Sequence, residues 1–269
     1  MGWQSCGKNS QYLGKRVTYM KREYFLGYPV DNVTMYEALS WIKNSKEQTR
    51  TRIIAVTNAN KLWQAYHDIR LSEYLKNADL VLPEYAVVWG ARRMNISLNH
   101  LGGIMLFSAF LPFAEKEKIR PFFLGARPEV VGKMVDRIKR LYPNILISGF
   151  HHGYLDSDQV KESVIKELRE KRPDILFVAM GSPKQEFLMT ELKNSLSIPI
   201  LMGVGGSFDV ISGEKNDAPS WVRSKGIEWI YRIAQEPFKF AYWKRYLITN
   251  IWFIYQIYKH SILSLSPKI

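Results

Sequence analysis

Cysteine is nearly absent from this chain of 269 residues, and long apolar runs are absent too. The single cysteine, Cys6, excludes an intrachain disulfide and is typical of a reducing compartment. The nearest candidate for a spanning helix, residues 246–265, is interrupted by polar residues such as Asn250 and Lys259, whereas a membrane span needs roughly 18 apolar residues. The N-terminus lacks the apolar core of a secretory signal. We therefore expect a cytoplasmic protein.

Three motifs that mark common enzyme sites are also missing. The chain has no Gly-x-x-x-x-Gly-Lys-Ser/Thr phosphate loop, no Gly-x-Gly-x-x-Gly dinucleotide motif and no Gly-x-Ser-x-Gly nucleophile elbow. These absences disfavour an ATPase, a dehydrogenase and a serine hydrolase. Positive charge is abundant instead: the formal net charge of +13 favours a membrane surface, a nucleic acid or a phosphorylated substrate as partner.

Short apolar runs alternate with amphipathic stretches through the middle of the chain. Because strands buried on both faces are continuously apolar, this alternation predicts a parallel sheet covered by helices. The predicted fold class is α/β, a doubly wound, mostly parallel sheet with ligands beyond the carboxyl ends of its strands. The predicted strands are 53–57, 79–82, 121–125, 144–148, 174–180 and 199–204, and the predicted helices are 60–76, 128–141, 157–171 and 183–194.

A glycine pair follows the last predicted strand. Gly205 and Gly206 have no Cβ atom, so a phosphate or a sugar can approach their backbone closely. The alternative without a ligand is that the two glycines form a tight turn before a helix. Asp209 then either caps that helix or accepts hydrogen bonds from a ribose or a base.

The sequence Gly181-Ser-Pro-Lys-Gln-Glu186 follows the strand before it. Ser182 as N-cap and Gln185 three residues later predict a capping box. A ligand-free helix start explains this pattern, but free backbone N–H groups together with Lys184 also attract a diphosphate. Both interpretations stay open on the residues alone.

Polar residues follow two other predicted strands. Asn60 is predicted as the N-cap of the next helix, which leaves Thr57 and Asn58 facing the crevice. Glu84 ends the neighbouring strand, either as a general base or as a solvated loop acid. The adjacent histidines His151 and His152 lack a third ligand of suitable spacing, and we interpret them as a surface pair and not as a metal site.

The composition divides the chain into three parts. We expect residues 1–24 to form a basic leader, 25–222 the α/β domain that would carry any catalytic site, and 223–269 a basic, aromatic C-terminal appendage. An apolar stripe recurs in the appendage at helical spacing, which fits either a helix packed on the domain or a sister subunit, or an interfacial helix on anionic lipid. The stripe consists of Leu247, Ile251, Ile254, Tyr258, Ile262 and Leu265.

Five motifs in order resemble those of the WecG/TagA/CpsF family of bacterial glycosyltransferases. Each motif alone is weak, but five at close spacing are specific, and the resemblance covers roughly residues 28–246. The motifs are Gly181-Ser-Pro-Lys-Gln-Glu186, Gly203-Val-Gly-Gly-Ser-Phe-Asp209, Ala218-Pro-Ser-Trp221, Gly226-Ile-Glu-Trp-Ile-Tyr-Arg232 and Glu236-Pro237.

The resemblance implies a Rossmann-like fold and an inverting, metal-independent enzyme without a cofactor. Such an enzyme transfers N-acetylmannosamine or a related hexose from a UDP-sugar to a sugar on undecaprenyl diphosphate, peripherally at the inner face of the cell membrane. It implies that Gln185 and Asp209 contact UDP, that Tyr154 lies close to the nucleoside, that Asn58 lies in the sugar crevice and that Arg232 reaches the diphosphate.

This chain departs from the family pattern around the reacting sugar. The family's presumed base is the Asp of Pro-Asp-Gly-x-Gly, where this chain has Pro83-Glu84-Tyr85-Ala86. A threonine usually stands two residues before the crevice asparagine, and here Val56 holds that position with Thr57 beside it. The family's Gly-x-Asp-Leu appears as Gly103-Ile-Met-Leu106, so an acid is missing.

Three hypotheses follow. The first is a UDP-sugar glycosyltransferase with Glu84 as base, in which the glycine-rich backbone, Lys184 and Arg232 stabilise the departing UDP. The alternative is a catalytically impaired UDP-sugar-binding subunit of a polysaccharide assembly complex, motivated by the altered Pro-Glu-Tyr segment. A nucleic-acid-binding module has only charge and aromatics in its favour, so we expect no nucleic acid. Self-association through the appendage is a further expectation.

Overall fold

The computed structural model describes residues 20–48, 50–216, 219, 222, 230–231 and 240–265. The strands are β1 (Lys21–Phe25), β2 (Tyr28–Asn32), β3 (Arg52–Thr57), β4 (Leu80–Pro83), β5 (Pro121–Gly125), β6 (Gly149–His151), β7 (Ile175–Ala179) and β8 (Ile200–Gly203). The helices are α1 (Met35–Ser45), α2 (Ala59–His67), α3 (Ile69–Lys76), α4 (Tyr85–Arg93), α5 (Gly103–Glu117), α6 (Pro128–Leu141), α7 (Asp158–Lys171), α8 (Lys184–Ser195), α9 (Ser207–Ser212) and α10 (Phe240–Leu265).

Six strands form the central sheet in the order β4-β3-β8-β7-β5-β6, and every neighbouring pair is parallel. This confirms the predicted α/β class and the mostly parallel sheet. The connections leave adjacent central strands toward opposite faces, since β3 and β7 lead to α2 and α8 on one face, while β8 leads to α9 on the other. Such an arrangement opens a crevice at the carboxyl rim of the sheet.

Period-two alternation divides the core into two layers. In β3, Ile53 and Ala55 join the layer formed with α2, α3, α4, α7 and α8, whereas Ile54 and Val56 join the layer formed with α1, α5, α6 and α9. Phenylalanines fill the second layer; for example, the rings of Phe107 and Phe177 lie 4.8 Å apart. Apolar strands covered on both sides were the pattern on which the fold prediction depended.

An antiparallel hairpin of β1 and β2 precedes the sheet and was not predicted. Arg22 forms a bidentate pair with Asp31, both contacts being 2.8 Å long, and Asp31 also accepts a hydrogen bond from the Val81 amide of β4. The hairpin is therefore fixed to the edge strand through a buried carboxylate. Strand β1 begins at Lys21, within the span that the sequence assigned to a leader.

Two of the predicted elements differ in the structure, and helices α1, α4 and α5 were not predicted. The strand predicted at 144–148 was wrong, because the edge strand beside β5 is β6, which follows at Gly149–His151. The single helix predicted at 60–76 is two helices, since Asp68 ends α2 in an extended conformation and its carboxylate caps α3 by accepting from the Arg70 amide. Apolar periodicity continues through the break between α2 and α3, so the sequence pattern did not reveal that break.

The appendage helix α10 packs on the domain through a face other than its apolar stripe. Phe253 and Ile257 are buried against the first core layer, and Phe253 lies 5.9 Å from the ring of Phe25. Ile251 of the stripe is 66% exposed, and its stripe neighbours Leu247, Ile254 and Tyr258 are exposed as well. Within the described residues, no helix meets the length and apolarity required to cross a bilayer.

Candidate active site

The candidate site lies where the parallel strands end. Asn58 follows β3, Glu84 follows β4, and the glycine pair Gly205 and Gly206 follows β8. Parallel strands end at one edge of the sheet, so these residues meet at a common rim although they are distant in sequence. The order of strands places β3 between β4 and β8, so Asn58 separates the acid from the glycine pair.

Glu84 and Asn58 form a direct pair. The Asn58 side chain donates from Nδ2 to Glu84 Oε2 at 3.0 Å, and the Glu84 amide donates to the Thr57 carbonyl at 3.0 Å. Asn58 is also the N-cap of α2, because its Oδ1 accepts from the Lys61 amide at 2.9 Å. The predicted cap at Asn60 was therefore wrong, and Asn58 combines a structural duty with a place beside the candidate base.

Thr57 does not face the crevice with its side chain. It is fully buried, and alternation along β3 places its side chain opposite that of Val56. Its hydroxyl has no hydrogen-bond partner among the described residues. The expectation that the Thr57 side chain faces the crevice is thus corrected: Thr57 contacts Glu84 through its carbonyl, which accepts from the Glu84 amide.

Two side chains that the sequence did not single out border Glu84. His100 stacks on Tyr85 with 3.4 Å between the ring centroids. A Cβ placed on Gly102 would lie 3.5 Å from His100 Nε2 and 3.6 Å from Glu84 Cγ, so the histidine and the carboxylate flank the same glycine. The acid therefore lies among polar and aromatic groups, and it is half-buried.

Gln185 is 3% exposed and holds the glycine turn from within. Its Oε1 accepts from the Gly205 amide at 3.2 Å, and its Nε2 donates to Glu186 Oε1 at 2.8 Å. A Cβ on Gly203 would stand 2.7 Å from Gln185 Nε2, so only glycine fits there without a shift. Gln185 orders the backbone of the turn; its contact with UDP stays a prediction.

The glycine pair is open toward the rim. Gly205 has a φ of +52°, in the left-handed region that favours glycine, and a Cβ there would meet nothing within 4 Å. A Cβ on Gly206 would approach only Asp209 Oδ2, at 3.9 Å. Asp209 is half-buried in the first turn of α9 and is not the N-cap. Its carboxylate thus borders the turn, as a contact to UDP requires.

The predicted capping box at Ser182 was wrong. Helix α8 starts at Lys184 with Pro183 as N-cap, no side chain caps it, and the Ser182–Pro183 peptide is cis. The Ser182 hydroxyl instead donates to Gln64 Oε1 of α2 at 3.1 Å. Lys184 is exposed at the helix start, where its ammonium is accessible to an anion.

Tyr154 and Arg232 are the remaining predicted site residues. Tyr154 is 48% exposed and lies in the loop after β6. Strand β6 is the edge strand opposite β4, and at a spacing of about 4.8 Å between neighbouring strands the two edges are about 24 Å apart. The preceding Gly153 amide bonds the Ala126 carbonyl, which ties this loop to the end of β5. Arg232 lies outside the described residues.

An ion pair that sequence reasoning missed lies beneath the rim. Lys61 Nζ lies 2.7 Å from Glu186 Oε1, with side-chain exposures of 6% and 0%. Burial raises the pKa of the Tyr74 phenol well above its usual value, and the Glu186 carboxylate raises this pKa further, so the phenol stays neutral. Among the described residues, Glu186 Oε2 and Tyr74 Oη have no hydrogen-bond partner.

Two acids in Asp-x-Asp spacing, Asp156 and Asp158, follow Tyr154, and sequence reasoning also missed them. Both are exposed, and Asp158 lies in the first turn of α7, which Ser157 caps. An acid there complements the helix dipole. In the described part of the chain, no three His, Cys, Asp or Glu side chains converge as metal ligands would.

Comparison with known proteins adds independent findings. The family model described as "Glycosyl transferase WecG/TagA/CpsF family" matches residues 23–266. A Bacillus subtilis (strain 168) protein is 32% identical over 231 residues, which cover 85% of this chain and 88% of that protein. A Staphylococcus aureus (strain NCTC 8325 / PS 47) protein is 35% identical over 211 residues, covering 77% and 82%. Both are named N-acetylglucosaminyldiphosphoundecaprenol N-acetyl-beta-D-mannosaminyltransferase.

Proposed function

Because this chain belongs to the WecG/TagA/CpsF glycosyltransferase family and is a sugar-transferring enzyme, we propose that it moves a hexose from a UDP-sugar to a sugar on undecaprenyl diphosphate. The proposed donor sugar is N-acetylmannosamine or a close relative, and the transfer inverts the anomeric centre without a metal. The names of the relatives support this choice of acceptor and sugar.

The observation that carries the proposal is the bond between Asn58 Nδ2 and Glu84 Oε2. It orients a half-buried carboxylate at the rim, two strands from the open glycine turn. A general base must reach the proton that it abstracts, and the Asn58 amide holds this carboxylate in place at the rim. The extra methylene of Glu relative to Asp extends that reach.

Glu84 acts on the acceptor hydroxyl in the proposed mechanism. As the carboxylate takes the proton, the hydroxyl oxygen forms a bond to the anomeric carbon from the face opposite the diphosphate. The bond between the anomeric carbon and the diphosphate oxygen breaks, UDP leaves with the electron pair, and the configuration inverts. One proton thus moves to Glu84, and one negative charge develops on UDP.

The groups at the other side of the crevice suit the developing charge on UDP. The Gly205–Gly206 backbone allows close approach of a diphosphate, and the Lys184 ammonium at the start of α8 supplies a positive charge. Arg232 is proposed to join them from the appendage. Asp209, beside Gly206, is suited to accept hydrogen bonds from the ribose or the uracil.

We also propose that α10 rests on an anionic membrane surface. Its exposed face combines apolar side chains with the exposed cations Lys244 and Lys259, and aromatic residues such as Tyr255 suit the headgroup level. Each Lys or Arg near such a surface contributes about 1 kcal/mol. This location would bring the crevice to a lipid-linked acceptor, so the enzyme would work peripherally at the inner membrane face.

The test is direct transfer. The protein is incubated with a panel of UDP-hexoses and a short-chain polyprenyl-diphosphate N-acetylglucosamine, with and without EDTA. The products are identified by mass spectrometry, and their anomeric configuration is determined by NMR. We expect one disaccharide product, of inverted configuration, at an unchanged rate in EDTA. Glu84→Gln should abolish turnover and retain UDP binding. UDP binding without transfer of any sugar would instead support an impaired UDP-sugar-binding subunit.

A further inference from the structure

The buried ion pair of Lys61 and Glu186 joins two elements that carry opposite sides of the candidate site. Lys61 lies in the first turn of α2 and Glu186 in the first turn of α8. The two side chains are almost completely buried, and their charged atoms are 2.7 Å apart. Removing two charges from water is expensive, so a pair of this kind is weak evidence for stability alone. Its place beneath the rim suggests another role.

On the side of the glycine turn, Glu186 orients the neighbouring amide. Glu186 Oε1 accepts from Gln185 Nε2 at 2.8 Å, which leaves Gln185 Oε1 to accept from the Gly205 amide at 3.2 Å. A reversed Gln185 amide would set its NH₂ group against the Gly205 N–H and its oxygen against the carboxylate. The carboxylate therefore selects the amide orientation that holds the turn.

On the side of the acid, Lys61 fixes the start of α2. Its amide donates to Asn58 Oδ1 at 2.9 Å, and Asn58 Nδ2 donates to Glu84 Oε2 at 3.0 Å. The location of this first turn thus determines where the Glu84 carboxylate is held. Polar contacts therefore link Glu84 to the Lys61 backbone and link the Lys61 ammonium to Gly205, and the lysine side chain connects the two sets.

We propose that Lys61 and Glu186 are positioning residues that keep the Glu84 carboxylate and the Gly205 turn in register. Neither contacts the substrate; they act through Asn58 and Gln185. The inference rests on the proposed transfer from a UDP-sugar. Because a misplacement of about 1 Å can lower a rate about 100-fold, the pair controls turnover beyond its effect on folding.

The experiment removes both charges together, so that no unpaired charge stays buried. For Lys61→Met combined with Glu186→Leu, the unfolding temperature, the dissociation constant of UDP and the kcat and KM of transfer are measured, well below the unfolding temperature. We expect a folded protein in which kcat falls about 100-fold and UDP binds about tenfold more weakly. The matched control is Lys161→Met with Glu191→Leu, which removes a more exposed pair that also joins α8 to a neighbouring helix. This control should leave kcat and the UDP dissociation constant unchanged.

Two outcomes overturn the inference. If the double variant without these charges folds and keeps wild-type kcat and UDP affinity, the pair of Lys61 and Glu186 has only a structural role. If that variant does not fold, Lys61→Arg decides, since it keeps the charge but presents a planar, longer head to Glu186. Unchanged kcat and UDP affinity in Lys61→Arg then refute the positioning role. Wild-type protein that neither binds UDP nor transfers sugar refutes the proposed function itself, which separates the two failures.

Discussion

Ile257 of α10 lies over Gly90 of α4 with no room for a side chain between them. A Cβ on Gly90 would stand 2.7 Å from Ile257 Cδ1 and 2.9 Å from Phe25 Cζ. The C-terminal helix, the hairpin and α4 therefore meet at one glycine. Close approach at this point allows two otherwise exposed elements to share the first core layer.

Gly90→Ala is expected to destabilise the protein although it raises helix propensity. The added methyl group overpacks the contact with Ile257, and we expect the free energy of unfolding to fall by about 1 kcal/mol. Gly132→Ala in α6 is the control, because a Cβ there meets nothing within 4 Å. It should raise the free energy of unfolding by up to about 1 kcal/mol. Equal effects of the two substitutions in urea unfolding would refute the packing argument.

Asn58→Asp should shift the pH dependence of turnover. Aspartate keeps the cap on the Lys61 amide but sets a second carboxylate against Glu84, where the amide now donates at 3.0 Å. Like charges disfavour ionisation, so the pKa of the base rises and the acidic limb of the kcat profile moves to higher pH. Asn58→Ala should lower kcat with a smaller shift in the same direction, because it removes a donor to the carboxylate but adds no charge. An acidic limb that stays in place in Asn58→Asp would refute a contact between Asn58 and the catalytic base.

Lys61→Met alone should be far more harmful to folding than the charge-free double variant. It leaves the Glu186 carboxylate buried without its partner, which destabilises proteins by about 3–5 kcal/mol. Adding Glu186→Leu should recover most of that loss in the free energy of unfolding. A complete double-mutant cycle measured by urea denaturation checks this, and additive effects would show that the charges are independent.

Gly205→Ala should weaken UDP binding. The substitution forces alanine into the left-handed region, which costs roughly 1–2 kcal/mol, and places a methyl group where the turn is open. Gly27→Ala is the matched control, since Gly27 also has a positive φ and an open Cβ position, but lies in the hairpin of β1 and β2. Calorimetric titration with UDP should detect weaker binding in the first variant only. Equal UDP affinities would place the ligand elsewhere.

Ile251→Glu on the exposed face of α10 should reduce sedimentation with vesicles that contain anionic lipid. Ile251 is among the most exposed apolar residues of the chain, and a carboxylate there opposes both apolar insertion and the negative surface. Tyr36→Glu, at an exposed position of α1, is the control. Vesicle binding that falls equally in both variants would indicate a general charge effect and no role for this face.

The sheet was predictable because its signal is local. The predicted elements 121–125 and 128–141 coincide with β5 and α6, because a short apolar run indicates a buried strand and a strongly amphipathic stretch indicates a helix. The hairpin was missed because β1 is mostly charged and exposed on one side, so it lacks an apolar pattern. Its stabilising contact, Arg22 to Asp31, becomes visible only in three dimensions.

The site was predictable at its rim but not beneath it. Glu84, Asn58 and the glycine pair stand at strand ends, where topology makes polar residues conspicuous. Lys61 appears in the sequence as one more cation on a helix, and only packing shows that it is buried against Glu186. The capping box expected at Ser182 likewise did not form, because the Ser182 hydroxyl bonds Gln64 of another helix, a contact that local propensity does not report.

Among the described strands, β8 is the last to be synthesised, and it occupies the middle of the sheet between β3 and β7. Arg52 pairs with Ile200, so a ribosome must deliver most of the polypeptide before the two halves can join. Until then, both flanking strands present unpaired edges, which recruit other chains. We expect nascent protein to depend on chaperones during this interval, and truncations ending before residue 200 to aggregate.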